Sequence, residues 1–223
     1  LDEFALIRSR WGFAQGNMSE AQFSDILQNK AQPLFEKLKK KFIEENIVKP
    51  KAIFGYFPVC SEKNKLIVYD QNTSMESKIE NRKIIAEFYF PRQESGKLLC
   101  ISDYFQNINS GKIDTLAVQI VTLGEELSKI TKKIYDEGNF TDYYYLHGIG
   151  TELTEAYAEL IHKRIRSELG IVGKDAKSLR QLFSQGYQGS RYSFGYPACP
   201  NMEGNTTLLQ LLAADRIGVK ISD

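Results

Sequence analysis

The sequence predicts an α+β fold, with a largely antiparallel sheet bordered by helices. Two strands are predicted in hairpin-like succession at residues 52–59 and 65–69, and a third at 84–90. A long amphipathic helix comes after them, whereas a parallel sheet would need strict alternation of strands and helices. No repeat, low-complexity tract or linker interrupts the 223 residues. We therefore expect a single domain over residues 1–223.

Two helical segments are predicted before the first strand. Ser19 is a typical start of a helix, and apolar residues follow it at helical spacing. Pro33 must interrupt or restart this helix, because proline has no amide hydrogen to donate. A second amphipathic run then extends as far as Pro50, which ends it.

The predicted strands are rich in β-branched and aromatic residues. The polar residues 61–64 are expected to form the turn of the first hairpin, and Pro91 stops the third strand. The run 115–122 is apolar enough to be a central strand.

The second half of the chain is predicted to be mainly helical. A short helix is expected at 125–135, and the longest helix runs from 142 to Gly170, with an apolar residue at every third or fourth position. Gly170 is a natural C-terminal stop. Two further helices are expected at 178–185 and 206–217, with Thr206 as a cap, and a strand is expected to begin at 219.

Composition limits the classes of function. The net charge is +1, so we expect no general attraction to nucleic acid or to an anionic membrane. The three cysteines are far apart and form no CxxC motif, which argues against a disulfide framework and against a zinc site. The sequence contains no signal-peptide pattern and no long apolar run, and a reducing cytoplasm is the simplest location.

The sequence offers few groups for catalysis. His147 and His162 are the only histidines, and their spacing along one predicted helix is too large for a shared metal ion. No Ser-His-Asp or Cys-His motif is visible, and no glycine-rich loop follows a strand as a phosphate site requires. Cys199 is either a nucleophile or an inert thiol. Residue chemistry alone therefore indicates a binding domain and predicts no catalytic residue and no metal ligand.

Residues 185–200 are the stretch that looks least like scaffold. Arg191 lies there among four aromatic rings and three glycines, and two prolines flank the segment Ala198-Cys199. Glycine and proline at this density predict an irregular loop, and such loops often carry binding sites. A guanidinium, free backbone amides and aromatic faces suit a small, charged, partly flat ligand. The alternative is an ordered surface loop whose tyrosines only pack.

In this loop Arg191 stands four residues before Gly195-Tyr-Pro-Ala-Cys-Pro200, an arrangement that resembles the activation domain of cobalamin-dependent methionine synthase. Three other segments are similar to that family and occur in its order: Phe54-Gly-Tyr-Phe-Pro58, Asp103-Tyr104 with Ser110-Gly111, and Thr154-Glu-Ala-Tyr-Ala-Glu-Leu-Ile-His162. The matches cover nearly the whole chain. The resemblance implies a single C-shaped α+β domain.

The resemblance also implies a function. In that family the domain presents S-adenosylmethionine to cobalamin held by another domain, while flavodoxin or a similar reductase supplies an electron. Inert cob(II)alamin is thereby methylated and returns to the methylation of homocysteine. The domain contributes proximity and orientation, which agrees with the lack of an acid, base or nucleophile noted above.

Carried over by position, the family's ligand contacts fall mainly on the loop. Arg191 would bind the carboxylate of S-adenosylmethionine, a bidentate task that suits a guanidinium. Asp2 would pair with the ammonium group, and Tyr196 would lie beside the sulfonium. Backbone around Gly195 and Ala198 would meet the adenosine.

The chain also departs from the family. Gln185 stands where related chains often carry a glutamate, so a ligand contact there would become a neutral hydrogen bond. Glu155, in the matching helix, is expected to face the cobalamin-binding domain. The sequence stops at Asp223, before a strand and a Ser-rich turn whose aromatic residue closes over the ligand in the family. Two alternatives follow: a fragment, or a shortened, separately encoded reactivation protein with a more open site. These departures leave an alternative, a module that docks a corrinoid protein without using S-adenosylmethionine.

Overall fold

The computed structural model describes residues 1–72, 78–178, 181–182 and 184–221. They form two compact units, one comprising 1–52 with 121–161 and the other 53–120 with 162–223 as far as these are described. Each unit has a hydrophobic core of its own. The expectation of a single domain stays a prediction.

The first unit begins with a short π-helix at Ala5–Arg10, followed by α1 (Glu20–Ile26) and α2 (Gln32–Glu44). The predicted start at Ser19 is confirmed by a reciprocal capping box. The Ser19 hydroxyl accepts a hydrogen bond from the Gln22 amide at 3.3 Å, and the Gln22 side chain accepts one from the Ser19 amide at 3.0 Å. This pair satisfies two backbone donors that the first turn of a helix leaves open.

The backbone stays helical up to Pro33, since Ala31 and Gln32 both have right-handed helical dihedral angles. A wide π-helical segment, Leu27–Ala31, joins α1 to α2, and the Gln32 amide donates to the carbonyl of Leu27, five residues back. Pro33 then occupies the first turn of α2, directly after this segment, and has no amide hydrogen to donate.

Two further helices, α3 (Glu126–Asp136) and α4 (Phe140–Glu168), were predicted to within two residues at each end. Trp11 is buried against α4, and its indole nitrogen donates to the carbonyl of Tyr145 at 2.9 Å. A Cβ atom at Gly148 would lie 2.9 Å from the Trp11 ring, so this turn of α4 needs a glycine. The buried core around it consists of Leu6, Ile7, Trp11, Ala31, Phe35, Leu38, Phe42, Ile47, Leu146 and Ile149.

The sheet contains β1 (Lys51–Glu62), β2 (Lys65–Tyr69), β3 (Ile84–Tyr89) and β4 (Asp114–Thr122), in the order β3-β2-β1-β4. β2 pairs antiparallel with both β1 and β3. The predicted α+β fold with a largely antiparallel sheet is thereby confirmed.

The turn of the first hairpin is shorter than predicted. Glu62 pairs with Lys65, so only Lys63 and Asn64 form the turn, and the predicted turn residues Ser61 and Glu62 belong to β1. Ser61 is polar but buried, because its hydroxyl donates to the carbonyl of Phe105 at 3.1 Å. In the sequence alone, a polar residue that finds its hydrogen-bond partner only in the fold resembles a turn residue.

The last helix, α5 (Gly204–Leu212), begins and ends earlier than expected, and Thr206 is not its cap. Ala213 has a left-handed backbone with φ of +50°, which ends α5, and a 3₁₀ turn follows at Ala214–Ile217. Residues 219–221 form neither helix nor strand, so the predicted strand there is wrong. Of the helix predicted at 178–185, residues 179, 180 and 183 lie outside the described residues.

The core of the second unit lies along the sheet. Its buried members are Phe57, Val59, Leu66, Val68, Phe88, Phe90, Cys100, Cys199 and Leu212. Cys199 comes from the loop that the sequence singled out, so this loop is part of the core on one side. None of the helices described is long and apolar enough to cross a membrane.

Candidate functional site

Residues 185–200 form an irregular loop in the second unit, as predicted. Its C-terminal half is a compact double turn. The Gly195 amide donates to the Cys199 carbonyl at 2.9 Å, and the Cys199 amide donates to the Tyr196 carbonyl at 2.9 Å. These short-range bonds fix the backbone of the segment without a regular element.

Phe194 anchors the loop to the sheet. Its ring stacks on Phe90 with a centroid distance of 6.3 Å and an interplanar angle of 4°, and on Phe88 at 5.9 Å and 26°. A Cβ atom at Gly204, the first residue of α5, would collide with the Phe194 ring. The Phe194 ring thus holds the loop between β3 and α5, and the lack of a side chain at Gly204 leaves room for it.

Cys199 is a packing residue in this structure. Its side chain is buried, and its thiol donates to the Ser193 carbonyl at 2.8 Å. Burial raises the pKa of the Cys199 thiol, which disfavours the thiolate that a nucleophile requires. Of the two interpretations that the sequence left open, the inert thiol fits this environment.

The outer face of the loop carries the predicted ligand contacts. Arg191 is half-buried, and its Nη1 donates to the Ser193 hydroxyl at 3.2 Å, which restrains the guanidinium. The Tyr196 side chain is 55% exposed, and Ala198 and Gly195 are exposed beside it. This face therefore combines a restrained cation, an accessible aromatic ring and open backbone, which are the features expected for a small charged ligand.

Gly195 has a backbone that strongly favours glycine. Its φ is +89°, a left-handed conformation that side chains with a Cβ atom rarely adopt. A Cβ atom there would also lie 2.6 Å from the sulfur of Met202. The Met202 side chain is exposed and can move aside, so the backbone conformation is the stronger constraint.

The remaining predicted residues are more widely distributed. Gln185, at the start of the loop, is exposed and has a left-handed backbone with φ of +58°. Asp2 and Glu155 belong to the first unit. The Asp2 carboxylate accepts a hydrogen bond from the Ala5 amide at 3.0 Å, and Glu155 is half-buried on α4. The roles of Asp2, Gln185 and Glu155 stay predictions.

Sequence reasoning missed a polar cluster at the start of the second unit. The Tyr56 hydroxyl donates to Glu168 at 2.6 Å, and Arg164 donates to the same carboxylate at 2.9 Å while its guanidinium lies 5.4 Å from the Phe54 ring. Burial, followed by the bond to Glu168, raises the pKa of Tyr56 to about 12. The only signal in the sequence is the spacing of Arg164 and Glu168, one helical turn apart.

A cleft in the first unit was also not predicted. It has a volume of about 270 Å³ and lies between α3 and α4, where Thr131, His147 and Thr154 are among its lining residues. The hydroxyls of Thr131 and Thr154 donate to backbone carbonyls of their own helices. Among the residues described, no group of three or more His, Cys, Asp or Glu side chains could hold a metal ion.

Comparison with known proteins indicates the same family as the loop motif. A family model described as vitamin B12 dependent methionine synthase, activation domain, matches residues 7–223. Methionine synthases of Mycobacterium tuberculosis and Mycobacterium leprae are 33% and 32% identical to the chain. Both alignments cover 100% of this chain but 19% of the relative, so the chain spans about a fifth of their length.

A solved structure shows the same fold. The crystal structure of the MetH reactivation domain bound to AdoHcy has a TM-score of 0.78 and 23% sequence identity. The match covers 99% of this chain and 68% of the other. The resemblance recognised in the sequence is thereby confirmed, and the chain belongs to the family of activation domains of vitamin B12-dependent methionine synthase.

Proposed function

We propose that this domain binds S-adenosylmethionine on the outer face of the loop 185–200 and presents it to cobalamin. The observation that carries the proposal is Arg191, a half-buried guanidinium beside exposed aromatic and backbone groups. Arg191 would bind the ligand's carboxylate, and Tyr196 would lie near the sulfonium. The MetH reactivation domain of the same fold is bound to AdoHcy, the product that remains when S-adenosylmethionine has lost its methyl group.

Cobalamin would be held by a partner domain or a corrinoid protein, since the relatives are several times longer than this chain. S-adenosylmethionine would supply the methyl group that returns cob(II)alamin to the cycle, after flavodoxin or a similar reductase has supplied one electron. This chain would thus act as a component of a methyltransferase of methionine biosynthesis in the cytoplasm. Its own residues bind and orient the donor, and Asp2, Gln185 and Glu155 are further candidates for contacts to the ligand or to the partner domain.

Calorimetric titration of the chain with S-adenosylmethionine tests this proposal. Arg191→Ala should weaken binding by about 10- to 150-fold, because a charge-assisted bidentate contact contributes roughly 1.5–3 kcal/mol. Arg191→Lys should recover only part of the loss, because an ammonium cannot form the fork. Arg216→Ala removes an exposed arginine of the same unit and is the matched control.

Three results would contradict the proposal in different ways. Unchanged affinity in Arg191→Ala would refute the assignment of this residue. An equal loss in Arg216→Ala would show that any positive charge on the unit contributes. No saturable heat with the unaltered chain would favour the alternative, a corrinoid-protein docking module that does not use S-adenosylmethionine.

A further inference from the structure

The base of the loop is held by two side chains of one helix. The Nε2 atom of His162 lies 2.9 Å from the carbonyl oxygen of Gly189, and it must carry the hydrogen because a carbonyl only accepts. One turn later on α4, Nη1 of Arg166 donates to the carbonyl of Gln188 at 3.3 Å. The two contacts hold consecutive residues of the loop against the C-terminal part of the helix.

Tyr187 lies between these two side chains. Its ring meets the His162 ring edge to face at 5.6 Å, and the Arg166 guanidinium lies 4.4 Å from its centroid. Arg166 is itself fixed by a fork to Asp175, with both N–O distances at 2.6 Å, and this contact lowers the pKa of Asp175. His162 and Arg166 are 8% and 4% exposed, so the donor side of each hydrogen bond is shielded from water.

Two glycines of this segment lie too close to neighbouring atoms for a side chain to fit without a shift. Gly189 has a φ of +84°, and a Cβ atom there would lie 3.0 Å from the side chain of Ile171. A Cβ atom at Gly186 would lie 2.7 Å from the Gln181 carbonyl oxygen. The Gly186 carbonyl also accepts a hydrogen bond from the Ala176 amide at 2.7 Å. The segment 186–189 is therefore closely fitted to the chain that follows α4.

We infer that His162 and Arg166 are positioning residues for ligand binding. They fix the segment 186–189, and Arg191 follows it by only two residues, so the direction of its guanidinium depends on where that segment lies. A binding loop that is already ordered loses less conformational entropy when the ligand arrives. The inference rests on the proposed binding of S-adenosylmethionine and assigns that site its supporting contacts.

Two substitutions of His162 distinguish the effect of its hydrogen bond from the effect of its volume. His162→Gln keeps an N–H donor within reach of Gly189, whereas His162→Phe fills the space without one. We expect His162→Gln to bind S-adenosylmethionine within about threefold of the unaltered chain. His162→Phe should bind about tenfold more weakly, because it removes a hydrogen bond that holds the loop. His147→Phe, at the other histidine of α4, is the control and should leave affinity unchanged.

Hydrogen–deuterium exchange supplies a readout that needs no ligand. Exchange in the peptide 184–192 should be faster in His162→Phe than in the unaltered chain, and His162→Gln should restore the slow rate, while peptides from β2 stay protected. Equal affinity and equal exchange in His162→Phe would overturn the inference. Faster exchange throughout the chain would also overturn it, because the role would then be general stability. If the unaltered chain fails to bind the ligand, the proposed function is refuted, and the ligand-binding role assigned to both residues falls with it.

Discussion

Phe194 should contribute both to the stability of the second unit and to ligand binding by the loop 185–200. Its ring is the stacked side chain that joins the loop to Phe88 and Phe90, and the Gly204 backbone closes against it. Phe194→Ala removes a half-buried ring, so we expect roughly half of the 3–5 kcal/mol typical for a buried phenylalanine, about 2 kcal/mol. The substitution also releases the loop from the sheet, which should weaken binding of S-adenosylmethionine.

Urea unfolding followed by circular dichroism measures the first effect. With a denaturant slope of roughly 2 kcal/mol per molar, the midpoint should fall by about 1 M urea. Tyr192→Ala, at an exposed ring of the same loop, should change the unfolding free energy by no more than about 0.5 kcal/mol. Equal shifts for the two variants would refute the anchoring role of Phe194.

Two other predictions follow from the polar cluster and from the backbone of the loop. The pKa of Tyr56 is raised from 10.0 to about 12, so its contribution to stability is complete below pH 10 and is lost as the pH rises toward 12. A tyrosinate absorbance titration measures this, and Tyr56→Phe should remove a group that titrates late. A late-titrating group that persists in Tyr56→Phe would disprove the prediction. Gly195→Ala should lower the free energy of unfolding by about 1–2 kcal/mol, because the backbone there is left-handed, and it should also lower ligand affinity. A thermal melt and a binding isotherm measure the two effects. If both were identical to those of the unaltered chain, the backbone at Gly195 would not be constrained.

The local pattern of the sequence was sufficient for α1, α3, α4 and most strand positions. The capping residue at Ser19 and the apolar stripe of α4 are local signals, and both predictions are confirmed. The hairpin turn was misjudged because the hydrogen-bond partner of Ser61 lies 44 positions away in the chain. A polar residue satisfied by a distant carbonyl cannot be distinguished from a turn residue by local composition.

The loop could be located from composition, but the contacts that hold it in place could not be predicted. Glycine and proline density identified residues 185–200, and the family motif singled out Arg191 and Tyr196. The stacking of Phe194 on Phe88 and Phe90 joins residues more than a hundred positions apart, and no local spacing encodes it. The link from His162 to Gly189 spans 27 positions and likewise appears only when the chain is folded.

The most direct measurement is a crystal structure of this chain with S-adenosylmethionine. We expect both carboxylate oxygens of the ligand to lie about 2.7–2.9 Å from the guanidinium nitrogens of Arg191, with the sulfonium beside the Tyr196 ring. Ligand bound in the α3–α4 cleft, or on the loop with its carboxylate away from Arg191, would contradict this expectation.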